Sequence, residues 1–455
     1  MTRSLLLLTS ALTLAGCNMA PTYVRPAAPV PAALPTGDAY APAQAGAAAG
    51  LPWTQLVGDA KLQTVIARAL TNNRDLRATL ANVQAARAQY RIQRASQLPT
   101  VTGDASAAFV RQNDARQNSY SADIGFGAFE IDLFGRLRNL SESALQSYLA
   151  TQEGARAARI ALIAETATAY ATLAADQELL AVSRQTLASA QRTLDLVSSL
   201  NGAGLTGKLD VYQAQTTVEQ AASDVAANVT QVAQDRNAID LLAGAPVEDA
   251  LLPVSLDSLI AGIAKVPAGL TSDILLQRPD VLQAEHQLMA ANADIGAARA
   301  AMFPRISLTS AIGVASSALS SLFTGDAFAW SAAPSASLPI FGGPVRGNID
   351  FSKAQRDMML AQYEGAIQTA FREVADALAR DGTIDAQQAA QRRLLIASQR
   401  AYALSEDRYR AGIDTFLTTL TSQRTLYAAR QSAIATDLAL LTNRILLYRV
   451  IGADQ

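Results

Sequence analysis

Two periodicities alternate along the chain. Ile306, Leu308, Ile312 and Val314 fall on one side of a period-two pattern, and so do Phe328, Trp330, Ala332 and Leu338. That is the signature of strands with one apolar face. The same alternation is weaker at Val101 to Phe109 and at Tyr120, Ala122, Ile124 and Phe126. Between these segments the spacing is helical. A helix is predicted over about 61–97 and another over 279–302, the second opened by Pro279 and Asp280; each stops at a proline, Pro99 or Pro304. Uninterrupted helical patterns follow over about 139–199 and 352–410. After Gly204 and Gly412, return helices are predicted over about 209–242 and 415–450. A 60-residue helix reaches about 90 Å, a length that suits a tube or a spacer rather than a compact core.

These elements come in the same order twice. Asp75 to Pro99 lies on Asp280 to Pro304 at an offset of 205. The offset grows to 207 at Phe134-Gly135 against Phe341-Gly342, and to 208 from Ala203-Gly204 against Ala411-Gly412 onward, the drift that short loop insertions produce. A duplication into two halves, rather than a solenoid of short repeats, is the expected organisation. Residues 51–245 form the first repeat, with strands at about 99–133, and residues 273–455 the second, with strands at about 304–341. Residues 246–272 are read as the linker.

Four strands with an apolar outer face raise an energetic problem. In lipid every backbone N–H and C=O must be paired, so a sheet there has to close on itself. Four strands are too few, since membrane barrels need about eight or more. The strands therefore pack as a soluble sandwich or several chains share one barrel, and three chains would supply twelve strands.

Composition narrows the class. Hydrophobic residues make up 50% of the chain but aromatic ones only 5%, an alanine and leucine bias that favours helices. The net charge of −2 gives no global field for nucleic acid or an anionic surface. Cys17 is the sole cysteine. It follows a short basic start and an apolar run of about 11 residues, too short to span a bilayer and typical of a secretion signal. Leu14-Ala15-Gly16-Cys17 resembles the lipobox of bacterial lipoproteins, which implies cleavage after residue 16 and acylation of Cys17. Asn18 stands where an inner-membrane retention signal would have aspartate. Residues 17–50, rich in proline and alanine, are expected to be a lipidated, extended arm.

The stretch LLQRPDVLQAEHQLMAANADIGAARAAMFPRISL, residues 275–308, resembles the outer-membrane efflux protein family, the TolC-like exit ducts of tripartite pumps. FEIDLFGRLR at 129–138 and AGIDTFLTTLTSQRTLY at 411–427 are similar to the same family, whose NodT-type branch shares the lipid anchor. The resemblance implies a mainly α chain with membrane β-hairpins. Three copies would form a 12-stranded β-barrel continuous with a periplasmic α-helical barrel. It implies an outer-membrane location with a long periplasmic part, a homotrimer, a periplasmic membrane-fusion adaptor and an inner-membrane efflux pump of the RND type. Lipid contact through acylated Cys17 belongs to the same expectation. No cofactor and no nucleic-acid partner is implied, and the function expected is passive export of small molecules. The alternative is a non-channel envelope lipoprotein serving as a helical spacer.

In the family the helix turns are the periplasmic tips where the adaptor docks, which singles out Gly204, Leu205, Gly412 and Ile413. The aperture positions are Leu417, Thr418 and Thr421, where many members carry aspartates. Hydroxyls lack the fixed charge that concentrates cations in a narrow passage, so weaker cation selectivity is expected unless Asp414 or Asp210 substitutes. GAGLTGKL at 202–209 falls short of a phosphate-binding loop, because Leu209 replaces the Ser or Thr that would hold magnesium and no strand precedes it. His286, the only histidine, is expected on a helix surface. Arg94 and Arg299 are expected to cap carbonyls or pair between helices. No nucleophile–base, metal or phosphate constellation marks an enzyme.

Overall fold

A computed structural model describes residues 18–40, 52–112, 115–265, 272–341 and 343–452. Its helices are α1 (Trp53–Leu56), α2 (Ala60–Asn72), α3 (Arg74–Ala95), α4 (Arg136–Gly202), α5 (Lys208–Ala243), α6 (Leu256–Gly262), α7 (Pro279–Ala300), α8 (Val345–Arg410) and α9 (Phe416–Ile451). Its strands are β1 (Val101–Gln112), β2 (Ala115–Ile131), β3 (Arg305–Ser316) and β4 (Phe328–Ser337). Contacts divide the chain into two compact units. One comprises residues 1–28, 81–154 and 282–366, the other residues 29–80, 155–281 and 367–455. Each unit draws on both halves of the sequence.

The first unit contains one four-stranded antiparallel sheet in the order β1-β2-β3-β4. Its register sets the faces. Val101 opposes Phe126, Leu308 opposes Phe129, and Ile312 lies between Ile124 and Trp330. Directly opposed residues share a face, so these apolar positions lie together on one side, with Ser310 the polar residue between Phe126 and Ala332. The other face holds Ser106 against Ser121 (Oγ to Oγ 2.9 Å), Ser307 against Ser335 (2.7 Å) and Asp104 against Asp123. Ile124, Ile312, Phe328 and Trp330 are exposed in the single chain. No described helix is long and apolar enough to cross a membrane.

The long helices match the expected ones with ends moved by a few residues. α4 has 67 residues and α8 has 66, about 100 Å each, and neither contains proline. Alanines face the interior of α4, with Ala164, Ala167, Ala171 and Ala174 all buried, so neighbouring backbones approach closely.

One expectation is corrected. The single helix over 61–97 is two helices, broken at Asn73. This residue leaves the helical conformation (φ −56°, ψ 129°) and its Oδ1 accepts from Leu76 N at 3.0 Å, while Nδ2 donates to Leu242 O at 3.1 Å. Such a side-chain cap offsets about 1 kcal/mol of the cost of interrupting the ladder. The connector 246–272 is itself ordered over most of its length. It carries α6, pairs Ile263 with Val57, and is tied down by Tyr170 Oη to Leu251 O (2.8 Å) and Leu256 N to Glu178 Oε1 (2.8 Å). Residues 266–271 of that connector lie outside the described residues.

The Arg278-Pro279-Asp280 motif acts as a structural lock in the second unit. Arg278 is buried and donates to Asp280 Oδ1 (3.0 Å) and Oδ2 (2.7 Å), to Glu373 Oε2 on α8 (2.8 Å) and to Val450 O on α9 (2.8 Å). One guanidinium thus fixes three helices. Removing it leaves Val450 O and two partly exposed carboxylates without their donor, so Arg278→Ala is expected to destabilise the protein by about 1–3 kcal/mol, measured as a lower urea midpoint of the helical signal.

Asp176 on α4 and Asp235 on α5 also meet in this unit. Asp235 is buried and accepts from Gln231 Nε2 at 2.9 Å, but its Oδ2 meets no N–H or ordinary hydroxyl donor. Burial, with the hydrogen bond to Asp235 and its repulsion, pushes the Asp176 carboxyl up to about 7. Protonated Asp176 is then the donor a second carboxylate needs. The native state holds this proton where an unfolded aspartate has lost it, so the pair's contribution declines as pH rises from about 4 to about 7. Asp176→Asn is expected to flatten that part of the pH profile of thermal unfolding and to raise the midpoint at alkaline pH. An unchanged profile would remove Asp176 as its source.

Candidate functional site

The turns that end α4 and α8 are built alike. Gly204 (φ +74°) and Gly412 (φ +72°) are left-handed, a conformation in which a β-carbon is strained. Gly204 N donates to Asn201 O and Leu205 N to Leu200 O; Gly412 N donates to Tyr409 O and Ile413 N to Arg408 O. Both turns are therefore Schellman motifs, displaced by 208 residues in the chain. The residue after the glycine in this motif commonly folds its apolar side chain back on the helix. Here Leu205 and Ile413 instead remain 74% and 62% exposed.

The two turns are held together beneath their tips. Val197 of α4, Ala214 of α5, and Phe416 and Leu420 of α9 form one buried cluster, joined by Leu194, Val211 and Tyr409. Tyr409 packs against Phe416 with ring centroids 5.6 Å apart. Their polar chemistry differs. In the first turn Asn201 Nδ2 donates to Thr206 O at 2.7 Å and Thr206 Oγ1 bonds Asp210. In the second, Arg408 grips Asp414 with two bonds of 2.7 and 3.0 Å, and holds that carboxyl below the usual aspartate range. Asp414 is thus already neutralised locally, and Asp210 is engaged within its own turn.

Leu417, Thr418 and Thr421 share one exposed face of α9, whereas Phe416, Thr419 and Leu420 are buried. Thr421 Oγ1 donates to Leu417 O (2.8 Å), and Thr418 Oγ1 lies 3.3 Å from Thr415 Oγ1. No carboxylate joins this face; the charged residue on it is Arg424. Thr418 and Thr421 are both open in the single chain.

Other singled-out residues take places in the first unit. His286 is half-buried rather than on the helix surface, with Nδ1 2.7 Å from Gln146 Oε1. Cys17 lies outside the described residues, but the arm after it is placed. Arg299 donates to Met19 O (3.3 Å), Asn292 to Pro21 O (2.8 Å), and Tyr23 Oη and Arg25 to Glu285, the latter with two bonds of 2.6 Å. Ala20 lies so close to Gly296 that a β-carbon there would sit 2.7 Å from it. The arm therefore runs antiparallel to α7. Six extended residues cover about 20 Å, the same distance as fourteen helical residues at about 1.5 Å each. Pairing with Arg25, which is itself half-exposed, keeps the buried Glu285 compensated. Sequence reasoning missed this strap, because Arg25, Tyr23 and Glu285 are some 260 residues apart. Among the described residues no group of three or more His, Cys, Asp or Glu is placed to hold a metal.

Comparison with known proteins gives consistent matches. The sequence model of the outer membrane efflux protein family matches residues 65–245 and 270–453. The probable efflux pump outer membrane protein TtgC of Pseudomonas putida is 45% identical over 465 residues, spanning 99% of this chain and 96% of TtgC. Among solved structures, a membrane protein from Pseudomonas aeruginosa is similar with a TM-score of 0.89 at 40% identity, over 96% of this chain and 100% of that one. The open state of the MtrE outer membrane channel of Neisseria gonorrhoeae gives 0.87 at 34% identity, over 96% and 99%. Matches of this strength along nearly the whole sequence leave one assignment: the chain belongs to the outer membrane efflux protein family.

Proposed function

We propose that the protein is the outer-membrane exit channel of a tripartite efflux system, passing small molecules that a periplasmic adaptor and an inner-membrane pump deliver. The observation that carries this reading is the open sheet. β1 and β4 each have one unpaired edge, and the sheet's apolar face is exposed. In hydrocarbon such edges cost several kcal/mol per unpaired group, which β4 of one copy and β1 of the next remove by pairing. Three copies give a closed barrel of twelve strands with the Ser- and Asp-bearing face inward. The long helices continue from its periplasmic end.

Within this reading Gly204, Leu205, Gly412 and Ile413 form the adaptor-docking tips, and Leu417, Thr418 and Thr421 line the periplasmic aperture. Exposed apolar side chains on tips fixed from below suit a docking surface. Met19, two residues after Cys17 in the sequence, accepts from Arg299 in the last turn of α7, which supports an acyl anchor in the periplasmic leaflet.

Purified protein is expected to be a trimer that opens pores in planar bilayers. A pore-free trimer would favour the spacer reading. At the aperture, Asp414 is paired and no carboxylate stands beside Thr421, so reversal potentials in a salt gradient are expected to show weak cation selectivity, which Thr421→Asp should increase. Strong cation selectivity that survives Asp210→Asn with Asp414→Asn would overturn the aperture assignment. Leu205→Glu with Ile413→Glu is expected to abolish efflux in cells while trimer abundance and conductance stay unchanged. Loss of the trimer instead would mark these residues as structural.

A further inference from the structure

A cavity of about 430 Å³ in the first unit lies where the arm, α7 and α8 meet. Three cations line it, Arg299 from the last turn of α7 and Arg346 and Lys353 from the start of α8, against the single carboxylate of Asp350, 3.6 Å from Lys353. The rest of the lining is apolar, chiefly Met302 and Phe303, and Phe303 stacks on Phe134 with ring centroids 4.6 Å apart. The lining is therefore a cationic rim over a greasy floor.

Its place in the fold gives the ligand class. Arg299 and Met302 precede the start of β3, and Arg346 follows the end of β4, so the cavity lies at the helix-bearing end of the sheet. If the sheet spans the outer membrane, as in the reading above on which this inference rests, that end is at the periplasmic leaflet. Ile340 and Phe341, wholly exposed, adjoin the same end of the sheet, as expected of residues at a membrane interface. Excess cations at that depth attract anionic headgroups, and the apolar floor accepts the first carbons of the chains.

We propose that this cavity binds the headgroup of an anionic phospholipid of the periplasmic leaflet, one per chain, with Arg346 and Lys353 meeting the phosphate and Arg299 divided between the lipid and the carbonyl of Met19. The acyl group on Cys17 is the competing occupant, since Met19 also lines the cavity. An acylated cysteine carries no anion, so it leaves the excess of three cations over the one carboxylate of Asp350 uncompensated. The phospholipid satisfies both the charge and the floor. Bound there, it would fasten the arm, α7 and α8 to one another at the membrane surface.

Native mass spectrometry in mild detergent tests this with phosphatidylglycerol and phosphatidylcholine as probes. The wild-type protein is expected to retain phosphatidylglycerol in preference, up to one per chain, and to keep it in excess inorganic phosphate. Arg346→Gln with Lys353→Gln is expected to lower that retention about tenfold or more, with helical content and trimer mass unchanged. Cys17→Ser behind an ordinary cleavable signal is expected to retain the lipid like wild type. Equal retention of phosphatidylcholine, or full retention by the double variant, would overturn the proposal. So would loss of the lipid in Cys17→Ser, which would give the cavity to the protein's own acyl chain, or displacement by phosphate, which would make it a site for the free ion. A lipid-free trimer that still opens pores refutes the cavity assignment alone; a protein that neither trimerises nor inserts refutes the channel reading.

Discussion

A strand edge in hydrocarbon has no water to bond, and β1 and β4 each present such an edge. Most of the architecture is organised around that constraint. The sheet's register places a mainly apolar surface on one side and serines and aspartates on the other, which is useful only if one side meets lipid and the other water. Because one chain supplies four strands, the barrel has to be shared, and the assembly follows from the sheet rather than from any special contact between helices. Asp104 and Asp123 face each other across β1 and β2, a like-charge pairing that is unfavourable in isolation and tolerable beside a water-filled lumen.

The long helices meet a different demand, to carry the passage away from the membrane without a break. Absence of proline and a lining of alanines allow this, and the turns at their far ends are set by glycine geometry repeated 208 residues apart. Helices of this length are easily bent or sheared past one another. Local fasteners oppose that: Arg278 joins α7, α8 and α9, the Val197 cluster joins the two tips, and α6 with its connector is bonded to α4 and α9.

Electrostatics separates the two ends of the proposed channel. At the tips Asp414 is paired with Arg408, whereas Asp210 only accepts from the neutral Thr206 hydroxyl; the threonine face of α9 itself carries no carboxylate. Near the strand ends the balance is reversed, and Arg299, Arg346 and Lys353 outnumber Asp350. In the proposed aperture the first arrangement leaves the threonines without a carboxylate to draw in cations. The second attracts anions at the membrane surface.

The sequence by itself determined the elements. Period-two alternation identified all four strands and one of their faces, uninterrupted helical patterns identified the long helices, and Gly204 and Gly412 marked the turns, because these are properties of neighbouring residues. What escaped were features made by residues distant in the chain. The break at Asn73 depends on the carbonyl of Leu242, the ordered connector on Tyr170 and Glu178, and the strapped arm on Glu285. The candidate site divides in the same way. Leu205, Ile413, Thr418 and Thr421 could be named from a resemblance, but only folding decided that all four are exposed and that Asp414 is already paired. Local pattern fixes where the backbone hydrogen bonds run; burial and charge compensation are set by partners hundreds of residues away, and tertiary structure alone brings those together.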